Sequence, residues 1–158
     1  MIILDIEASG LDQSSYPIEI AWQHRSDPTQ LDSFLIQPAE GWIYWDAYAE
    51  AHLHRLSRLQ LATEGIPVVE AAKRLNQRLN GRTVYTDVPD YDRGWIARLF
   101  FTAGIDRAFT VRSLISLIPP AKVGAYQQQV ALTTRAHRAL DDVRQMIKSL
   151  NYVCPEGC

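Results

Sequence analysis

Cysteine is scarce in this sequence. The only two, Cys154 and Cys158, stand in Cys-Pro-Glu-Gly-Cys at the end of 158 residues. That excludes a disulfide-stapled scaffold, and two cysteines without Cys or His neighbours make a poor zinc site. The pair reads as an incidental tail, with a terminal disulfide or an adventitious metal as the other readings. Long apolar runs are absent too, so no membrane-spanning helix is expected. The chain does not open on a basic region, an apolar core and a small-residue cleavage site, which leaves a cytoplasmic protein as the expectation. Excess positive charge is also missing, with a net charge of −2. That sum neither signals nor excludes a polyanionic partner, since an acidic cluster that binds metal lowers it without facing the partner as bare negative charge. Local basic residues would then have to steer. With 47% apolar and 22% charged residues the composition is globular. The length suits one domain with a real core, expected over residues 1–152 with a tail at 153–158.

The chain is organised around its first ten residues, Met1-Ile-Ile-Leu-Asp-Ile-Glu-Ala-Ser-Gly10. The first seven read as a strand, with Ile2, Leu4 and Ile6 on one side and Ile3, Asp5 and Glu7 on the other. Two residues along a strand span about 6.5–7 Å, so Asp5 and Glu7 project together. Like charges on one face of an apolar strand are costly unless something cationic lies between them. The pattern therefore points to a metal site. Ser9-Gly10 end the strand.

Tyr16–Arg25 reads as a second strand, Asp27-Pro28 as a turn, and Leu31–Gln37 as a third strand stopped by Pro38, together an antiparallel meander. Residues 41–58 read as a loop followed by one or two short helices. This stretch holds Trp42, Tyr44, Trp45 and Tyr48, then His52, His54, Arg55 and Arg58. Core packing accounts for at least half of those rings, and base stacking is the other use of aromatics beside Arg and His. Pro67 opens a helix with Val68, Val69, Ala72, Leu75 and Leu79 on its apolar side, closed by Asn80-Gly81. Thr83–Thr86 is then a buried strand, parallel to the first by the crossover rule. A helix follows from about Asp90 to Ala103, then a strand over 109–111, a short helix over 114–118 and a polar helix or mobile segment over 122–132. An amphipathic helix over 134–152 closes the chain. The sum is an α/β fold, a mixed sheet with helices packed on it.

Two later segments repeat the acidic anomaly. Asp92 shares a helix face with Trp95, Ile96 and Leu99, while Asp87 and Asp90 are better placed to cap. In the closing helix the stripe is Ala136, Leu140, Val143, Ile147 and Leu150. At about 100° per residue Asp142 falls beside Ala139 and Met146 at its edge, and Asp141 falls toward solvent. His137 and Asp142 are about 140° apart on a continuous helix. His137 is therefore expected in a loop or first turn, from which it can reach a site shared with Asp142.

These residues together resemble the DEDDh-type 3′-to-5′ exonucleases of the ribonuclease H-like superfamily. Asp5-Ile-Glu7 matches the first motif, Asp-x-Glu, and Tyr91-Asp92 with Gly94-Trp95-Ile96 matches the second. His137-Arg-Ala-Leu-Asp-Asp142 matches the third, His-x-Ala-x-x-Asp. Pro17-Ile-Glu-Ile-Ala21 fits the family's second strand, and His54-Arg-Leu-Ser57 lies where members often carry a His-Gly-Ile element. The departures are two. Asp87-Val-Pro-Asp-Tyr-Asp92 stands where many relatives read His-Asn-Ala-x-Phe-Asp, so a substrate-contacting Asn is missing and Asp87 is an unexpected carboxylate. Arg55 replaces the Gly of the His-Gly-Ile element.

The resemblance implies a ribonuclease H-like mixed sheet, three antiparallel strands followed by parallel ones, flanked by helices. It implies a metal-dependent hydrolase that trims short single-stranded RNA or DNA from 3′ ends to nucleoside 5′-monophosphates. Asp5, Glu7, Asp92 and Asp142 would hold two divalent ions, and all-oxygen ligation suits Mg²⁺ or Mn²⁺. His137 would be the general base. Glu7 would also bond the terminal 3′-hydroxyl, and Ala8 and Leu11 would wedge against the terminal base. His54 and Arg138 complete the implied substrate contacts; Arg55, Arg58, Arg93 and Arg98 are further basic residues that could meet phosphates, though each reads more simply as solvated surface. Many relatives dimerise, so a homodimer is a possible assembly. Three other readings stay open: a binding module on the same fold with weak catalysis, an endonuclease of the same superfamily, and a structural protein whose acids cap helices.

Overall fold

The computed structural model describes residues 1–155. Its centre is a five-stranded mixed sheet in the order β3-β2-β1-β4-β5. Strands β1 (Ile2–Ala8), β2 (Pro17–His24) and β3 (Asp27–Leu35) form the antiparallel meander. β4 (Thr83–Thr86) and β5 (Thr110–Ser113) add in parallel to β1. Between β3 and β4 lie α1 (Ala47–His52), α2 (Arg58–Glu64) and α3 (Val68–Leu79). α4 (Pro89–Ala103) joins β4 to β5. A 3-10 turn (Leu114–Leu117), α5 (Pro120–Ala131) and α6 (Ala139–Val153) complete the described chain. This is the ribonuclease H-like arrangement that the motifs implied.

The alternation along β1 divides the core. Ile2, Leu4 and Ile6 pack with Leu75 and Leu79 of α3 and Ile96 and Leu99 of α4. Ile3 packs on the opposite face with Val143, Ile147 and Leu150 of α6. Asp5 and Glu7 continue the Ile3 row, so α6 covers the strand's apolar start and its own first turn meets the acids.

Several boundaries differ from the sequence reading. β3 begins at Asp27 rather than Leu31, and the hairpin turn is Arg25-Ser26. Pro28 is tolerated because β3 is an edge strand. Asp27 accepts from the backbone and hydroxyl of Thr29, which holds the strand's start. α4 begins at Pro89 with Val88 as its cap residue and no capping side chain, so neither Asp87 nor Asp90 caps it. Of the two readings of 122–132 the helix is the one found, as α5 over Pro120–Ala131 with Leu132 at its C-cap. α6 begins at Ala139 rather than Thr134. The cause is carboxylates that take the local amides: Ala136 N–H donates to Asp142 at 3.1 Å and Ala139 N–H to Glu19 at 3.1 Å. Ala136 therefore lies outside the helix and is exposed, and the buried stripe is Ala139, Val143, Met146, Ile147 and Leu150.

At the other end Cys154 is buried, and Arg25 donates to its carbonyl oxygen. Cys158 lies outside the described residues. No described helix is long and apolar enough to cross a membrane.

Candidate active site

The acids meet at the C-terminal ends of β1 and β4, which are adjacent parallel strands. A cavity of about 450 Å³ opens there. Its walls include Asp5, Glu7, Ala8 and Leu11 from β1 and the loop after it, His54, Asp92 near the start of α4, and Arg135 and His137 from the loop before α6. Asp142 approaches from α6, and ligand atoms of Glu7, His137 and Asp142 all lie within 4.8 Å of one another. Residues separated by over a hundred positions are thus brought to one point by the sheet and its two flanking helices.

Each functional side chain has a local reason for its place. Asp92 is buried one turn into α4, and the Thr86 hydroxyl at the end of β4 donates to its Oδ2. Asp142 is oriented by the Ala136 amide. His137 has a φ of 51°, the left-handed region that a residue with a Cβ seldom adopts. That conformation breaks α6 and turns the imidazole toward Glu7 and Asp142, as the angular argument required. Behind β1, Asp46 ties the α1 segment to the site: its amide donates to Ser9 O at 2.8 Å and its carboxylate caps Tyr48 and Ala49. Gly10 permits this approach, since a Cβ there would come within 2.8 Å of the Tyr44 ring.

The carboxylates are crowded. Among the described residues, the Asp5 and Glu7 carboxylates accept no hydrogen bond. Burial, followed by the charges of Asp92, Glu7, Asp87 and Asp142, holds the Asp5 carboxyl well above its ordinary range. Burial, then Asp142 and Glu19, raises Glu7 to about 8, against the pull of Arg135 and Arg138. Asp92 rises to about 7, first from burial, with the Thr86 hydrogen bond opposing it. Asp142 is raised by burial and drawn back by the Ala136 amide, Arg135 and His137. A group of oxygen donors that resist ionising together is short of positive charge, and hard divalent cations supply it. Glu7, His137 and Asp142 hold ligand atoms close enough together for such a cation, and Asp5 and Asp92 line the same cavity outside that group.

The implied substrate contacts divide. Ala8 is buried in the cavity wall, and Leu11 stands at its mouth, 66% exposed. His54 is buried, and its Nδ1 accepts from the Leu56 amide at 3.0 Å. Because Nδ1 accepts, the ring proton sits on Nε2, which is buried and has no partner among the described residues; burial lowers the ring's pKa. Arg55, in the Gly position of the His-Gly-Ile element, has a φ of 56° and so keeps the backbone form that glycine favours. Arg138 is not among the residues that line the cavity. Its guanidinium binds Glu19 through two bonds of 2.9 and 3.0 Å.

Arg58, Arg93 and Arg98 donate to carbonyls of Ile43, Val111, Gln13 and Ser15. Of the four aromatic residues in 41–58, Trp42 is core, stacked on Tyr16 at 5.0 Å between ring centroids, and Tyr48 is exposed on the cavity wall.

Two residues were missed from sequence. Glu19 sits across from Glu7 in the β1–β2 pairing and receives both Arg138 and the first amide of α6. Its signal was an acid in an otherwise apolar strand. Arg135 lies in the cavity wall and donates to Asp87, the unexpected carboxylate of the second motif. Two positions upstream of His137, it is hidden by helix-like spacing, since α6 begins only at Ala139.

No family profile and no curated protein matches the sequence. Solved structures do. The chain is similar to exonuclease I of Methylocaldum szegediense, with a TM-score of 0.74 and 16% identity over 98% of this chain and 41% of that one. It is also similar to the zinc-bound complex of Escherichia coli exonuclease I with single-stranded DNA, with a TM-score of 0.70 and 13% identity over 98% of this chain and 41% of that one. The E. coli enzyme bound to a dA16 oligonucleotide gives a TM-score of 0.72 at 13% identity, again over 98% of this chain and 41% of that one. The chain thus spans about two-fifths of the length of these proteins, and within that span it has the ribonuclease H-like exonuclease fold of exonuclease I.

Proposed function

We propose that this chain is a metal-dependent 3′-to-5′ exonuclease acting on single-stranded nucleic acid. The observation that carries the reading is the convergence of Asp5, Glu7, Asp92, Asp142 and His137, from three separate stretches of sequence, on one cavity end of an exonuclease fold. The solved relatives bind single-stranded DNA, which makes a DNA strand the leading substrate class, with RNA as the comparison.

Asp5, Glu7, Asp92 and Asp142 would hold two divalent ions, Mg²⁺ or Mn²⁺. Four carboxylates and two such ions balance in charge. The ions, when bound, supply Lewis-acid activation of water and stabilisation of the leaving oxygen. The chain's own groups do the rest. His137, beside Glu7 and Asp142, takes the proton from the attacking water. Glu7 accepts a hydrogen bond from the terminal 3′-hydroxyl. Leu11 and Ala8 offer apolar surface to the terminal base, and the His54 Nε2–H is a donor for the nucleotide in the cavity. Attack on the last phosphodiester breaks its bond to the 3′-oxygen of the penultimate nucleotide. The departing nucleotide then keeps the phosphate as a 5′-monophosphate.

The test compares linear and circular single strands in Mn²⁺. Linear strands should be consumed to 5′-mononucleotides while circles stay intact. Cutting of the circle would replace this reading with an endonuclease. Tight binding of the linear strand without cleavage in Mg²⁺ or Mn²⁺ would replace it with a binding module.

A further inference from the structure

We infer that Arg135 contacts the scissile phosphate and that Asp87 is the positioning residue that aims it. The inference rests on the exonuclease reading above and adds a substrate contact to it. Arg135 is the only Lys or Arg among the described residues lining the catalytic cavity. Its Nη2 donates to Asp87 Oδ2. The two ends of this pair differ: the Arg135 side chain is 37% exposed and that of Asp87 only 12%. The carboxylate is thus the buried anchor and the guanidinium the accessible face. A guanidinium has five donors in a planar fork. Among the described residues this one spends a single hydrogen bond on the protein, which leaves donors for a ligand.

The charge argument agrees. A phosphodiester entering the cavity approaches Asp5, Glu7, Asp92 and Asp142. Two divalent ions would cancel those four charges and leave nothing for the substrate's own. Arg135 lines the same cavity as Asp5, Glu7 and Asp92, and its charge reaches Asp5, Asp92 and Asp142. A fixed cation with planar donors suits the phosphoryl oxygens and the charge that grows on them in the transition state. The alternatives are occupied elsewhere: Arg138 by Glu19, and Arg98 by the Gln13 and Ser15 carbonyls. Asp87 is not in the cavity lining, although its charge also reaches Asp5, Asp92 and Asp142, and its Oδ2 accepts from Arg135. Outside the lining and bonded to Arg135, it is assigned to orient that guanidinium. That accounts for a carboxylate at the His position of the relatives' His-Asn-Ala-x-Phe-Asp stretch, one residue before Val88, which stands in the Asn position.

The experiment measures kcat and KM in Mn²⁺ on two substrates, a short single-stranded oligonucleotide and the p-nitrophenyl ester of thymidine 5′-monophosphate. The ester has a scissile phosphate but no upstream strand. Arg135→Ala should lower kcat by roughly 10²-fold on both, the usual cost of removing one transition-state donor. Arg135→Lys should recover about tenfold of that loss by restoring the charge without the fork. Mn²⁺ affinity, measured by calorimetry without substrate, should be equal or tighter in Arg135→Ala, because a neighbouring positive charge is gone. Asp87→Asn should cost about tenfold alone and nothing more in the Arg135→Ala background, since it acts through Arg135.

An active wild type matched within threefold by Arg135→Ala overturns this inference alone. So does Mn²⁺ binding that weakens in parallel with activity, or a loss confined to the oligonucleotide. A wild type inert toward both substrates overturns the exonuclease reading as well. If Arg135→Ala does not fold, Arg135→Gln, which can still bond Asp87, takes its place, with the same loss expected and retention of the wild-type rate overturning the inference.

Discussion

Replacing Asp92 with Asn should stabilise the metal-free protein at alkaline pH while removing its activity. Asp92 is 2% exposed, and its carboxyl titrates at about 7 against an ordinary 3.8, chiefly from burial. The sign follows from linkage. An acid whose folded pKa lies above its unfolded one favours the folded state below the unfolded value. That advantage is lost as pH rises through the folded value, because the unfolded chain ionises first. The difference is about three pH units, at ~1.4 kcal/mol each. Above pH 7, holding Asp92 ionised in the fold therefore costs on the order of 4 kcal/mol. Asn has the same shape, still accepts from the Thr86 hydroxyl and has no charge to desolvate. Thermal melts in EDTA should show Asp92→Asn level with wild type near pH 4 and higher by roughly 10 °C at pH 8. Saturating Mn²⁺ should close or reverse the gap, since only the intact site gains full binding energy. A variant no more stable than wild type at pH 8 in EDTA, or a gap that does not change with pH, would refute the reasoning.

Other outcomes follow from the same geometry. Asp142→Ala should reduce metal-dependent cleavage to background, and His137→Ala should slow it by roughly 10²–10⁴-fold; single-turnover assays on labelled strands read both. Leu11→Ala should raise KM for an oligonucleotide several-fold with kcat little changed, because an apolar wedge serves binding more than chemistry. Glu19→Ala should lower stability by about 2 kcal/mol, measured by urea unfolding, by freeing the half-exposed Arg138 and orphaning the first amide of α6. Leu99→Ala, at a fully buried position between α4 and the sheet, should cost about 2–5 kcal/mol in the same assay and leave metal binding unchanged.

The sheet and the acids were legible because they break or keep simple periods. Alternation along Ile2–Glu7 separates two faces, and the structure puts Leu4 and Ile3 in different clusters. The helical angle alone separates Asp142 from Asp141, and Asp142 is buried while the Asp141 side chain is 58% exposed. The boundaries that failed were decided by distant side chains. Thr134–Arg138 has helix-like spacing, but Asp142 takes the Ala136 amide, Glu19 on β2 takes the next helix's Ala139 amide, and His137 turns left-handed. Asp87 carries a good capping side chain, yet Arg135, 48 residues away, takes it. Arg138 looked like a phosphate contact because its partner, Glu19, lies 119 residues upstream. Local pattern carries no information on such pairings, and the cationic part of the site was lost for that reason.

The central claim meets its most direct test in a time course on 5′-labelled single-stranded DNA and RNA of one sequence, with Mg²⁺, Mn²⁺ or EDTA. The account predicts a ladder that shortens one nucleotide at a time from the 3′ end, present with either metal and absent in EDTA and in Asp142→Ala. Cleavage undiminished by EDTA, or wild-type turnover by Asp142→Ala, would contradict it.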